Sequence, residues 1–498
     1  MPVTVLLDTG SVRGTLRTRH QFSNAGHIDT GVDMSVESLH TTADATIPHP
    51  RWRLPVVGDV FGISIRTPLQ NSMEIGRKLG PIFERNVLGN RFVFASGADM
   101  VAELSDESRF AKHLAPGVAS LREVGGDGLF TAYNHEPNWS KAHNLLAPAF
   151  TKSAMRSYHR TMLDVAGELT EHWDERVDGS PVDVSSDMTK LTLETIGRTG
   201  FSYSFDSFGR ERPHPFVQAM VGALSHSQRT TFVKSSALGR LLMRRSDRRN
   251  IANLEHMAEV VDEVIRARRD SAEDGPEDLL ELMLRAAREN DPHRIDELNI
   301  RHQVVTFLVA GHETTSGALS FALYYLSRHP DVLAKAQAEV DAVWGDEEPA
   351  FEQIAKLRYV RRVLDESLRL WPTAPAYGRE ATVDTTLVGK YPMKVGDWVL
   401  VLIPALHRDP VWGDDPEAFD PDHFLPERIR SRPAHVYKPF GTGERACIGR
   451  QFALHESVLV LGTILRRYDI VGDPDYRLKV AERLTLMPEG FTLQLRRR

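Results

Sequence analysis

The stretch from Leu298 to Leu326 limits the fold more than any other part of the chain. It reads as one long helix, apolar on most faces, and such a helix has to run through the core of the protein that surrounds it. Its middle carries Ala310-Gly311-His312-Glu313-Thr314-Thr315. Glycine inside a helix costs ~1 kcal/mol against alanine, and a carboxylate among apolar residues costs more unless it is paired or hydrated. Local misfits of this kind point to function. Ala310 and Gly311 leave room for a ligand beside the helix. A Thr314 hydroxyl bonded back to an upstream carbonyl would open a local bulge, and Glu313 with Thr314 would offer a proton relay. A kinked core helix with a solvated Glu313 stays open as the plainer reading.

A second stretch narrows the chemistry. Phe440 to Ala453 holds the only cysteine, Cys447, between Gly441 and Gly443 on one side and Gly449 on the other. Gly441 and Gly443 suit a tight loop, and Gly449 lets a following helix start close to something flat. Cys447 at that helix's N-terminus, with Arg445 nearby, would favour a thiolate, which is a metal ligand or a nucleophile. No C-x-x-C pair is present for zinc or redox chemistry, no histidine or asparagine offers a protease-like partner, and the glycine spacing has no use around a cysteine that only fills space. Phe440-x-x-Gly443-x-Arg445-x-Cys447-x-Gly449 resembles the haem-binding loop of the cytochrome P450 family, in which the cysteine thiolate is the proximal ligand of haem iron.

Composition agrees with an enzyme of that kind. At 498 residues the chain suits one large domain or a few ordinary ones, and 41% hydrophobic with 26% charged residues is ordinary for a soluble globular protein. A formal net charge of −7 gives no reason to expect nucleic acid. The Arg240 to Arg249 run reads as a solvated segment between helices. One cysteine excludes an internal disulfide and suits a reducing compartment. No apolar run reaches ~18 residues, so no integral membrane anchor is expected; no signal peptide is visible either. The expectation is a cytoplasmic enzyme.

Taken in order, residues 1–46 read as a disordered N-terminal extension, with Met34 as an alternative start, and 47–498 as the folded domain. Ile82 to Arg85 and Arg91 to Phe94 predict two paired strands. Asn134 to Phe150 predicts a short helix ended by Pro148, with Trp139 and His143 on one face. Residues 153 to 292 are helical in pattern, broken at 179–181, 212–215 and 274–276. Glu366-x-x-Arg369 puts opposite charges one turn apart beside Leu364, Leu368 and Leu370, which allows a buried pair. Trp398 to Ile403 reads as a strand, the segment to Pro439 as a meander, and the Cys447 loop feeds a helix to about Arg467. Leu484 to Leu486 and Phe491 to Leu495 predict a terminal hairpin.

Four motifs stand in the order and spacing of the P450 family: Trp139 with His143, Ala310-Gly311-x-Glu313-Thr314, Glu366-x-x-Arg369 and the Cys447 loop. From Ile47 onward the chain resembles the haem domain of the bacterial self-sufficient fatty-acid hydroxylases, where that domain is fused to a diflavin reductase. The resemblance implies a mainly α fold with small β-sheets, the triangular prism of haem-thiolate proteins. It implies haem b (heme b, iron protoporphyrin IX), with Cys447 as axial ligand, Phe440 over its sulfur, and Lys112, Trp139, His143 and Arg445 on the propionates. Phe130, Leu121, Ala310, Ala374 and Leu484 would wall the substrate pocket, and Thr314 and Glu313 would deliver protons. Glu366, Arg369 and His423 would form a structural core.

Three departures from the pattern matter. The sequence ends at Arg498, where the haem domain would end, so NAD(P)H-derived electrons are expected from a separate ferredoxin, flavodoxin or diflavin reductase. The arginine and tyrosine that meet a fatty-acid carboxylate in the resembled group fall at Asn90 and Phe94, and strand alternation turns the adjacent Arg91 to the other face. Pro421-Asp422-His423-Phe424 carries His423 where the family usually has arginine; a histidine can still donate a hydrogen bond. The function implied is a monooxygenase that hydroxylates an apolar small molecule, a medium- or long-chain fatty acid, with O2. A peroxide-driven hydroxylase or decarboxylase and a non-catalytic haem sensor or carrier stand as alternatives.

Overall fold

The structure is a computed structural model that describes residues 46–498 apart from 65, 211, 213, 234–236, 271–276 and 289–293, with the backbone alone for 227–244 and 270. All but the last residue of the expected extension, the start at Met34 and the break at 274–276 lie outside the described residues. The folded unit is built on a helix from Glu297 to Arg328, opened by Asp296, whose side chain accepts from the Asn299 N–H. This element holds no break at the Ala310–Thr315 misfit. Thr314 Oγ1 donates to Ala310 O at 2.8 Å, yet the helix stays α throughout, so the expected bulge is absent. One back-bonded hydroxyl leaves the next turn's ladder intact.

Helices Val184–Phe201, Arg358–Leu370 and Arg450–Arg467 pack around this core helix. Gly311 allows the first to come close: a Cβ there would stand 3.0 Å from Ile196 Cγ1. Helices Met155–Asp174, Pro215–Val233, Ala237–Asp270 and Leu279–Arg288 fill most of the region read as helical. The arginine run lies within the Ala237–Asp270 helix rather than between helices, with Arg245, Arg248 and Arg249 exposed.

Ile82–Val87 and Asn90–Ala95 pair antiparallel, with Arg85 opposite Phe92. The second strand then pairs parallel with Trp398–Leu402, which pairs with Ala376–Ala381, which in turn pairs with Phe110–His113, giving a five-stranded sheet. The terminal hairpin does not form as expected. Val480–Glu482 pairs with Leu486–Pro488, so Leu484 and Thr485 lie in the turn between them. Thr492–Arg497 pairs with Tyr468–Gly472 instead, Leu495 opposite Ile470. Both strands bury alternate residues, and this register puts their apolar faces on the same side.

The Glu366–Arg369 pair is wholly buried and bidentate: Arg369 Nε and Nη2 donate to the two carboxylate oxygens at 2.7 Å each. The remaining guanidinium protons go to the carbonyls of His407 (2.9 Å), Pro416 (2.6 Å) and Ala418 (2.8 Å), which ties the meander to the helix. Glu366 Oε1 also accepts from Asp420 N–H at 2.9 Å and faces His423 Nδ1 at 3.0 Å. The histidine thus supplies the hydrogen bond expected of it. His407 carries the connection onward. Its Nδ1 meets Arg369 O at 2.9 Å, and its Nε2 accepts from Lys438 N–H at 2.9 Å. Burial pushes its pKa down to about 3, so the ring is neutral and can accept at one nitrogen while donating from the other. The start of the Cys447 loop is pinned through that ring.

Candidate functional site

The loop after Lys438 is shaped by two glycines in the left-handed region, Gly441 at φ 76° and Gly443 at φ 67°. A Cβ on Gly443 would fall 2.0 Å from Glu107 Oε1, so no other residue fits without displacing that side chain. Cys447 N–H donates to Phe440 O at 2.9 Å. Gly449 caps the Arg450–Arg467 helix, and a Cβ on it would meet only Cys447 Sγ, at 3.9 Å. The wall beside the sulfur is therefore flat and open. Cys447 lies deep in the protein and reaches free space through the cavity it lines. Burial raises its thiol pKa, opposed by the Gly449 N–H and by Arg450. Arg450 is thus the cation acting on the sulfur. Arg445, expected in that role, is turned elsewhere.

The cavity measures about 290 Å³ and is lined by Lys112, Phe130, Trp139, His143, Ala310, Thr314, Ala374, Phe440, Arg445 and Cys447. At one end lie two cations. Lys112 donates from Nζ to Phe130 O and sits 5.6 Å over the Phe130 ring. Burial, with Arg445 adding to it, pushes its pKa down to about 7. Arg445 donates to Ala132 O at 2.7 Å and Asn134 Oδ1 at 3.3 Å, and stacks 4.4 Å over Trp139. Its Nε has no partner among the described residues. Burial brings its pKa down to about 10. No carboxylate pairs with either cation among the described residues. Trp139 and His143 stack at 4.9 Å on the same wall. Such a set fits a flat ligand with acidic groups at one edge.

Phe130 is held over the cavity by a clasp on the core helix. Asp127 Oδ1 accepts from Asn299 Nδ2 at 2.8 Å and faces His302 Nδ1 at 2.8 Å, while Asp127 Oδ2 accepts from Asn138 Nδ2 at 2.7 Å. Gly126, at φ 43°, allows the close approach: a Cβ there would lie 2.0 Å from His302 Cε1. Two expected pocket residues stand outside the cavity. Leu121 lines a smaller neighbouring one, with Phe130, Thr306 and Val309. Leu484 lines a separate groove against the sheet. The Thr314 hydroxyl faces the cavity, whereas Glu313 is buried away from it and pairs with Arg483 Nη1 at 3.1 Å. Sequence reasoning had no signal for Arg483, which lies in the turn beside Leu484. It also passed over Glu456, wholly buried; burial lifts its pKa to about 8, opposed only by Thr195.

The fold and this cavity are those of a haem-thiolate protein. The sequence matches the cytochrome P450 family over residues 48–495, and the chain belongs to that family. It is 44% identical over 453 residues to a bifunctional cytochrome P450/NADPH–P450 reductase of Bacillus cereus, covering 91% of this chain and 42% of that protein. A second bifunctional protein, from Bacillus subtilis, is 46% identical over 430 residues, 86% of this chain and 40% of its own length. A self-sufficient cytochrome P450 monooxygenase of Aspergillus niger is 38% identical over 451 residues, 90% of this chain and 41% of its length. The chain thus spans about two fifths of these relatives. The family's cofactor is haem b. The donor set fits it: a single thiol on a flat glycine wall, and two unpaired cations where acid groups would lie. No helix among the described residues is long and apolar enough to cross a membrane.

Proposed function

We propose that residues 47–498 form the haem domain of a monooxygenase that hydroxylates an apolar small molecule, a medium- or long-chain fatty acid, in the cytoplasm. O2 is the oxidant, and the electrons come from NAD(P)H through a separate ferredoxin, flavodoxin or diflavin reductase. The observation that carries this reading is that Cys447, beside the open face of Gly449, lines one cavity with Thr314 and Ala310 of the core helix. Bound there, haem b supplies the O2 chemistry, with the thiolate donating electron density.

The chain's own residues do the rest. Cys447 would hold the iron, Lys112 and Arg445 would neutralise the acidic edge of the cofactor, and Trp139 and His143 would donate hydrogen bonds to it. Phe130, Ala310 and Ala374 shape an apolar space that positions a C–H bond and keeps bulk water out. Thr314 Oγ, whose proton rests on Ala310 O, accepts a hydrogen bond from the cavity side and hands a proton on by rotating. Glu313, one residue earlier, is the second member of this relay; its carboxylate is held by Arg483 away from the cavity, so it would reach Thr314 only by leaving that ion pair. An intact acid–alcohol pair favours electron-driven over peroxide-driven turnover.

The test is a difference spectrum of the dithionite-reduced protein with CO. A red-shifted Soret band, lost in Cys447→Ser, is expected. A folded, haem-loaded sample without the band overturns the assignment. Substrate oxidation with NAD(P)H and surrogate redox partners separates the monooxygenase from a sensor, and turnover with peroxide alone identifies the peroxide-driven alternative.

A further inference from the structure

Strand alternation that turns Arg91 outward turns Arg85 inward. Arg91 Nε donates to Glu84 Oε2 at 2.7 Å on the exposed face, and Asn90 Nδ2 is used on Val87 O at 3.3 Å. Neither side chain lines the haem cavity or the groove beside Leu484. Arg85, paired across the sheet with Phe92, is 5% exposed and lines a groove of about 180 Å³ with Phe92, Phe94 and Leu484. Its Nη1 reaches only Asn71 Oδ1 at 3.1 Å and Ser72 Oγ at 3.4 Å, both neutral. Its Nε has no partner among the described residues.

A guanidinium in an apolar groove without a counter-ion is costly, because burial disfavours the charged form. The one carboxylate acting on Arg85 is Asp59, which is already taken by Arg53 at 2.9 Å and by Asn86 N–H at 2.7 Å. The groove itself is firmly built. Glu482 accepts from the Leu69 and Gln70 N–H groups at 2.8 and 2.9 Å, fixing the hairpin that carries Arg483 and Leu484 against the start of the Pro68–Leu79 helix. Two connections run from the groove toward the elements that build the haem cavity. Arg483 lines the groove and pairs with Glu313 on the core helix, and the segment running on from Lys112 supplies Ala115 and Pro116.

We propose that Arg85 is the anchor for a carboxylate on the substrate, binding it from inside the sheet while the alkyl chain lies along Phe92, Phe94 and Leu484 toward the haem cavity. The inference rests on the monooxygenase reading and names the polar end of its substrate. The carboxylate displaces no partner: it accepts from Nη2, which makes no hydrogen bond among the described residues, while Nη1 stays on Asn71 and Ser72. Arg85 is here a binding and specificity residue, distant from the reacting atoms.

The test uses the haem-loaded protein, its CO band first verified, titrated with dodecanoic acid and with 1-dodecanol by calorimetry and by the ferric Soret shift. Losing a charge-assisted hydrogen bond in a buried site should raise the dodecanoate Kd about tenfold to a hundredfold in Arg85→Gln, with the dodecanol Kd unchanged within about twofold. Arg85→Lys, which keeps a cation and guards against misfolding, should fall between, and Arg91→Gln should bind both ligands as the parent does. Equal weakening of acid and alcohol, an unchanged dodecanoate Kd, or a loss that appears in Arg91→Gln overturns the assignment. A CO band without dodecanoate binding in the parent sinks this inference alone, whereas absence of the band sinks the haem reading.

Discussion

Lys112 makes haem binding depend on pH in a direction that can be worked out from its surroundings. In the haem-free cavity burial and the neighbouring Arg445 hold its pKa at about 7. A propionate beside it would restore the charged form, so the bound state keeps the proton well above that value. Binding above pH 7 then takes up a proton, and affinity must fall as pH rises. With a pKa near 7 Lys112 is charged in ~90% of molecules at pH 6 and ~10% at pH 8, about a tenfold loss of affinity or ~1.4 kcal/mol. Cys447 works the other way, since its raised thiol must lose a proton to ligate. The lysine's share is therefore read from a ratio. Apoprotein and its Lys112→Gln variant are made to compete with apomyoglobin for haem at pH 6, 7 and 8. The parent should hold haem about tenfold to a hundredfold more tightly at pH 6, and that advantage should shrink about tenfold by pH 8. A ratio that stays constant across the three pH values would refute the argument, because a neutral or a permanently charged lysine gives no slope.

Two further outcomes follow from the site. Thr314→Ala removes the hydroxyl that faces the cavity and should uncouple electron consumption from product, with peroxide released; unchanged coupling, measured as product per NAD(P)H, would take Thr314 out of the proton path. Glu456 is protonated in the folded state up to about pH 8 but ionises near its ordinary value once unfolded, so stability should decline as pH rises through that interval. Glu456→Gln should flatten the decline, its denaturation midpoint matching the parent near pH 4 and exceeding it at pH 8; parallel pH profiles would show that Glu456 does not titrate in this way.

The core helix, the Cys447 loop and the Glu366–Arg369 pair were legible because each departs locally from what its element needs: a glycine and a carboxylate in an apolar helix, three glycines around one cysteine, opposite charges amid leucines. What escaped is set by partners far away in the chain. Glu313 was read as a relay with Thr314, and only the fold brings Arg483 to its carboxylate. The cation beside Cys447 was read as Arg445 from proximity in sequence, but the left-handed turns at Gly441 and Gly443 send that side chain to Trp139. The hairpin failed for a related reason: periodicity shows which residues of Thr492–Arg497 are apolar, but not which neighbouring strand offers a matching face. Arg85 gave no sign either, since one arginine in an alternating run reads as an edge residue until its burial is known.

The parallel pairing of Asn90–Ala95 with Trp398–Leu402 also bears on how the molecule is made. On the ribosome the first hairpin emerges with one edge bare, and the strand that covers it leaves some 300 residues later. At synthesis rates of about 5–20 residues per second, that edge waits for roughly 15–60 s. During that interval Phe92 and Phe94 border an unfilled β-edge, a template for pairing between nascent chains. Overproduction of this protein should accordingly respond to chaperone supply and slower translation more than to any change at the mature surface.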